Sequence, residues 1–296
     1  MTAIVLGSAA GGAYPQWNCR CPVCQLAWSG DPRVRTRTQC SLAVSSGDGR
    51  WAILNATPDI GVQIRKNPAL HPQGALRSSP ITAVVLTGGE IDQIAGLLSL
   101  RESTPFKLYA TPATHAAVSS NSMFDALTLM SRRAINPGET FTLDGGIAVS
   151  MFTVPGKVPL YLEREKTEIS HESAATVGLE LQHEGARLVF IPGAADVTPA
   201  LRARLERADV VFFDGTLFTD DEMLRTGTGQ KTGRRMGHMP IDGEDGSLAA
   251  LAGLAAKRFY IHINNTNPIH VAGSPERCKV EAAGWQVAED GMEIVV

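Results

Sequence analysis

Residues 81–93 read ITAVVLTGGEIDQ. Ile81 to Leu86 is apolar at nearly every position, which marks a strand buried on both faces. From Ile91 to Arg101 the spacing changes. Ile91, Ile94, Ala95, Leu97 and Leu98 fall on one side of a helix. A buried strand feeding a helix through a Gly-rich turn is an α/β unit, and the turn, Thr87 to Gln93, lies where such folds place reacting groups. Glu90 and Asp92 could offer carboxylate oxygens to a metal there, or cap the first helical turn.

The same unit recurs along the chain. Leu188 to Ile191 reads as a strand, Thr198-Pro199 as a helix start running to about Arg207, and Val210 to Phe213 as another all-apolar strand ended by Asp214. Ser247 is expected to open an Ala/Leu-rich helix to Lys257, followed by a strand at Phe259 to Ile263. Ser41 to Ser46 and Trp51 to Leu54 form a hairpin around Gly47-Asp48-Gly49. Trp285 to Val287 and Met292 to Val296 are expected to close the chain as a second hairpin around Asp290-Gly291. No Gly-x-Gly-x-x-Gly turn is present, which disfavours a dinucleotide fold. Two half-chains of this kind suit a four-layer α/β arrangement, two packed sheets with helices outside, in one domain over 1–296.

The 296 residues carry 27 basic and 30 acidic side chains, a net charge of −3. That balance argues against a partner bound by phosphate neutralisation, so no nucleic acid is expected. The chain has no run of about 18 apolar residues, so no membrane insertion is expected, and the start lacks the basic region of a signal peptide. A cytoplasmic location is the expectation. Of five cysteines, Cys19, Cys21 and Cys24 fall within six positions. Three thiolates so close can hold one tetrahedral ion, which reads as a structural zinc pinning the N-terminal loop. His270, Asn264 and Asn265 are candidates for the fourth ligand. Cys40 and Cys278 read as core.

Other candidates lie at strand ends. Asp214 follows an apolar strand directly. His262 is followed by Asn264, Asn265, Thr266 and Asn267, a polar cluster that suggests a rigid network. His238 follows the basic, Gly-rich loop Arg225 to Gly237 (RTGTGQKTGRRMG). Asp59 caps a helix over Asp59 to Lys66 or faces the same cleft.

Seven stretches resemble the coenzyme PQQ synthesis protein B family, within the metallo-β-lactamase superfamily. They are LGSAAGGAYPQWNCRCPVC (6–24), NATPDI (55–60), EIDQIAGLLSLRE (90–102), VPGKVPLYLE (154–163), FDGTLFTDDEM (213–223), KTGRRMGHMP (231–240) and HINNTNPI (262–269). The resemblance implies an αββα sandwich, a structural zinc at Cys19, Cys21 and Cys24, and a part in making pyrroloquinoline quinone (PQQ). The family is thought to hydroxylate the tyrosine ring of a Glu-Tyr unit from the precursor peptide with iron and dioxygen. An alternative role is a carrier that helps move PQQ or a precursor to the periplasm without catalysis. Small peptide-derived or quinone ligands, and other proteins of the PQQ pathway, are the partners it implies.

Set on the superfamily's His-x-His-x-Asp-His motif, this chain has Gly88, Glu90, Asp92 and Gln93. Gly156-Lys157 and Gly193 fall near two further ligand positions. A two-zinc hydrolase centre is therefore dismantled. Relatives usually carry histidine where this chain has Gln93, a poorer donor. The expected oxygenase site is Fe(II) on Asp92 and His262, with Glu90 or Asp214, and Gln93 nearby. His238 would act behind the ligands or as a proton donor. Lys231, Arg234 and Arg235 would pair with substrate carboxylates.

Overall fold

A computed structural model describes residues 1–162 and 171–296. The first sheet contains β1 (Thr2–Gly7), β2 (Ser41–Ser45), β3 (Trp51–Leu54), β4 (Ile81–Val85), β5 (Phe106–Ala110) and β6 (Met130–Ala134). The second contains β7 (Thr140–Thr142), β8 (Ala148–Gly156), β9 (His171–His183), β10 (Ala186–Ile191), β11 (Val210–Asp214), β12 (Lys257–Ile261) and β13 (Trp285–Val287). The last strand, β14 (Glu293–Val295), returns to the first sheet. The spatial orders are β14-β1-β2-β3-β4-β5-β6 and β13-β12-β11-β10-β9-β8-β7. In each sheet the four strands of one half run parallel (β3 to β6, β10 to β13).

Side-chain alternation explains the layers. In β11, Val210 and Phe212 face the other sheet and share one core with its Val5, Leu42, Leu54 and Val85, beside Leu179 and Phe190 of their own sheet. Val211 and Phe213 face outward, onto Leu201, Leu205 and Leu251. In β4, Ala83 and Val85 point to the central core, while Val84 packs outward with Ile60, Leu97 and Val118. Strands covered on both faces must be apolar at every position, which is why 81–86 and 210–213 read as unbroken runs. Each such side chain fully removed from water contributes roughly 1.5–3 kcal/mol. The result is the four-layer αββα sandwich.

Three expectations change. β13 pairs with β12 in the second sheet and β14 with β1 in the first, so the C-terminus is no hairpin. The half-buried Asp290 carboxylate accepts from Ser8 and Thr38 and draws the connection across to the first sheet. The helix opened by Ser247 ends at Ala250, because Arg202 of the helix Pro199–Leu205 binds the carbonyls of Ala250 and Ala252. The helix from Ile91 becomes 3-10 after Ile94, where Gly96 lies against the Thr57 backbone and a Cβ would sit 2.0 Å from the Thr57 oxygen. Ile91 itself is exposed.

The carboxyl ends of the parallel strands meet at one edge of the sandwich. Backbone bonds staple the sheets there: Ile263 N to Ser8 O and Ala10 N to Ile263 O, both 2.9 Å, and Val177 N to Thr87 O, 2.9 Å.

Candidate metal centre and cavity

Outside those strand ends lies a cavity of about 850 Å³, lined by groups from both sheets, among them Asp92, Lys157, Tyr161, Lys231, His238, His262 and Asn264. That size suits a small organic ligand. Asp92 comes from the first turn of the helix Ile91–Ile94 that follows β4, Asp214 from the end of β11, and His262 from the residue after β12. His262 has φ 58°, the left-handed region that side chains other than glycine rarely adopt. Such a conformation persists only where its surroundings fix it, and functional sites are where it concentrates.

Asp92, Asp214 and His262 form one connected set with Thr216 and His238. His262 Nε2 lies 3.0 Å from Asp92 Oδ2, and its Nδ1 lies 2.9 Å from Thr216 Oγ1. Thr216 Oγ1 donates to Asp214 Oδ1 at 2.6 Å. His238 Nδ1 meets Asp214 Oδ2 at 2.6 Å. The two imidazole rings are nearly parallel, 5.2 Å between centroids. Asp214 is fully buried and accepts four hydrogen bonds: Thr216 N and Oγ1 on one oxygen, Ala194 N and His238 Nδ1 on the other. Its lone pairs are used up, so it orients the imidazoles.

Charge follows this geometry. Burial opposes ionisation of Asp92, yet the His262 hydrogen bond and the nearby imidazoles hold its carboxyl below the usual range. Burial likewise opposes the charged form of Asp214, and His238 outweighs it. Burial lowers the basicity of His262, but Asp92, Asp214 and Glu90 raise it more.

Glu90 and Gln93 have another use. They form a reciprocal capping box at the start of the helix Ile91–Ile94: Glu90 accepts from the Gln93 backbone, and Gln93 Oε1 accepts from Glu90 N at 3.2 Å. Gln93 also fills the space of a missing side chain. A Cβ on Gly88 would lie 2.6 Å from Gln93 Oε1. Both line the cavity wall, but their polar atoms serve the cap.

Of the three predicted bases, Lys231 lines the cavity. Arg234 turns away to Asp245, 2.6 Å from its carboxylate, and Arg235 is exposed outside the cavity. Lys157 takes the second cationic place. Sequence reasoning missed it, as it missed Thr216 and Tyr161, whose hydroxyl donates to Gly89 O at 2.6 Å. The only signal for Thr216 was its position two residues beyond a strand-ending aspartate. Asp59 stands at its helix start but gives its carboxylate to Gln39. Glu163 of the 154–163 motif lies outside the described residues.

The cysteine cluster forms a separate site. The sulfurs of Cys19, Cys21 and Cys24 lie within 4.8 Å of one another. Cys21 is the N-cap of the helix Pro22–Trp28, its sulfur accepting from Cys24 N. The Cys21 hydrogen bond, opposed by burial, holds the Cys24 thiol below its ordinary value. Asn265 is the fourth-ligand candidate that reaches the cluster. Its amide lies 3.1, 3.9 and 3.3 Å from the sulfurs of Cys19, Cys21 and Cys24, and its backbone oxygen 3.7 Å from the latter two. His270 stacks on Tyr14 and bonds Asn264 O; the Asn264 amide goes to Thr266 and Met223. Cys40 is buried as expected, whereas Cys278 is exposed.

Comparison with known proteins agrees with this architecture. A family model, the beta-lactamase superfamily domain, matches residues 50–263. Coenzyme PQQ synthesis protein B of Methylorubrum populi is 54% identical over 297 residues, covering 99% of each chain. The chain belongs to the coenzyme PQQ synthesis protein B family. A member from Ruegeria pomeroyi is 52% identical over 298 residues, covering all of both chains. The crystal structure of Zn(2+)-bound PqqB from Methylobacterium extorquens superposes with a TM-score of 0.98 at 52% identity, again over the full length of both. A diphosphatase of the PhnP family, 21% identical over 99% of this chain and 96% of its own, shares the fold with a TM-score of 0.68. Among the described residues no helix is long and apolar enough to cross a membrane.

Proposed function

We propose that this chain acts in PQQ biosynthesis by ring-hydroxylating the tyrosine of a Glu-Tyr unit in the cavity. The observation that carries the reading is the convergence of His238, His262 and Asp92 on one cavity, with both imidazoles oriented from behind by Asp214. Two histidines and one carboxylate are the donor set of non-haem iron oxygenases. The residues fit such an ion: each ring turns Nδ1 toward the Asp214–Thr216 pair, leaving Nε2 as the donor, and His262 Nε2 lies beside an Asp92 oxygen. A bound Fe(II) would supply dioxygen activation.

The chain's own groups do the rest. Lys157 and Lys231 meet the substrate carboxylates from the cavity wall. Tyr161, held by Gly89 O, forms part of the cavity wall. The reaction balances as Ar–H + O2 + 2 electrons + 2 protons giving Ar–OH + H2O, the electrons coming from an external reductant. The cysteine site is a separate structural one. We assign zinc to Cys19, Cys21 and Cys24, whose thiols and neighbouring Asn265 make a sulfur-rich pocket suited to that ion.

The test is 18O2 incorporation into Glu-Tyr by protein supplied with Fe(II) and ascorbate. Labelled catechol product dependent on both is the expected result. Its absence at proven iron occupancy rejects the oxygenase reading. Tight binding of PQQ without turnover would then support the carrier role.

A further inference from the structure

Asn264 enters the cavity from the loop after β12. Ile263 and Asn265 on either side of it are buried, whereas Asn264 is half-buried. Its backbone N–H donates to Thr216 O at 3.0 Å, which ties it to the residue whose side chain also meets His238 and His262. The orientation of its amide follows from its partners. Thr266 Oγ1 gives its one proton to Glu222 Oε1 at 2.5 Å. A hydroxyl so used can only accept from its other neighbours. The Asn264 atom 2.6 Å from it is therefore Nδ2, and the same nitrogen lies 3.3 Å from Met223 Sδ, a weak acceptor. Both amide protons are thus used within the protein. The carbonyl Oδ1 accepts from none of the described residues, and the residue lines the cavity.

We propose that Asn264 Oδ1 accepts the phenolic O–H of the bound tyrosine and so orients its ring in the cavity. The inference rests on the Glu-Tyr reading above. Lys157 and Lys231 on the cavity wall suit carboxylates, but Asn264 offers only an acceptor and must take an N–H or O–H of the ligand. A ring that is to be oxidised has to reach His238, His262 and Asp92. Asn264 is tied to that part of the cavity through Thr216, so the donor that arrives beside it is the one carried by the ring. A neutral carbonyl leaves the phenol its proton. A fixed point at the hydroxyl selects the neighbouring ring carbons, as a catechol product requires. Glu222 and Thr266 hold the amide from behind, so little ordering is left to be done when the ligand binds.

The experiment is calorimetric binding of Glu-Tyr and Glu-Phe to wild type and Asn264→Ala at the same metal content. Zinc at the cysteines reports that the loop carrying Asn265 is intact. A pH of about 8 keeps the Glu222 carboxyl ionised, so that it can only accept from Thr266. Wild type should prefer Glu-Tyr over Glu-Phe by about 3- to 10-fold, the worth of one hydrogen bond. N264A should lose that preference, binding Glu-Tyr more weakly by the same factor and Glu-Phe as wild type does. If N264A loses its zinc, Asn264→Leu, close to asparagine in shape, takes its place with the same expected readings. A preference that survives in the variant overturns the assignment. So does equal weakening of both peptides, which would place the peptide's ammonium or amide on Oδ1 instead. Wild type that binds both peptides alike fails this inference alone, whereas wild type that binds neither fails the Glu-Tyr reading and this inference with it.

Discussion

Replacing Glu222 with Gln should remove a pH-dependent loss of stability. Glu222 is buried at the start of the helix Glu222–Arg225. One oxygen accepts from Phe218 N at 2.7 Å and the other from Thr266 Oγ1 at 2.5 Å. Thr266 in turn accepts from the Asn264 amide at 2.6 Å, so the carboxyl braces the loop that carries Asn264 into the cavity and Asn265 to the cysteines. Burial pushes its pKa from 4.5 to about 7, against the opposing pull of these hydrogen bonds. The folded chain therefore holds this proton to higher pH than the unfolded chain does. Stability from this group is fully present below about pH 4.5 and falls as pH rises toward about 7. At 1.36 kcal/mol per unit, the loss is about 3 kcal/mol. Gln keeps the shape and both contacts: its carbonyl accepts from Phe218 N and its amide donates to Thr266 Oγ1. Urea unfolding of both proteins at about pH 5 and about pH 8 should show the E222Q advantage growing by about 2.5 kcal/mol, part of the loss being already complete at about pH 5. Parallel stabilities, within about 0.5 kcal/mol at both pH values, would refute the reasoning.

Two further outcomes follow from the geometry. Cys21→Ser should lose the zinc and lower the melting temperature by at least about 5 °C, while Cys278→Ser, an exposed site, should change neither; calorimetry with metal analysis checks both. Gly88→Ala should cost about 1 kcal/mol or more, because its Cβ meets Gln93 Oε1 at 2.6 Å and the Ala175 oxygen at 3.0 Å. Adding Gln93→Ala should recover part of that cost, and strict additivity in the double-mutant cycle would show that the two sites do not share space.

Much of the fold was legible because burial on both faces writes itself into consecutive apolar residues, as at Ile81–Leu86 and Val210–Phe213. The C-terminal hairpin was misread for the opposite reason. Trp285–Val287 and Met292–Val296 look like partners locally, and only the tie of Asp290 to Ser8 and Thr38, more than 250 positions away, sends them to different sheets. The site divides in the same way. The cysteine triad is a local spacing and could be read. Asp92 and Asp214 stood out because each follows a buried strand, and His262 because Asn264, Asn265, Thr266 and Asn267 come after it. Thr216 and Lys157 had no such mark, since their roles depend on which strand ends meet. Glu90 carried two meanings, metal donor and helix cap, and Gln93 only the first; both side chains join one capping box, a pairing visible only once the helix start is placed.

The most direct test is metal analysis of wild type and an Asp92→Ala/His262→Ala variant after anaerobic loading with Fe(II) and Zn(II). Wild type should hold one zinc and one iron per chain. The variant should keep the zinc at Cys19, Cys21 and Cys24 and lose the iron. Iron that stays bound without Asp92 and His262, or wild type that takes up no iron under these conditions, would contradict a metal centre built on this cavity.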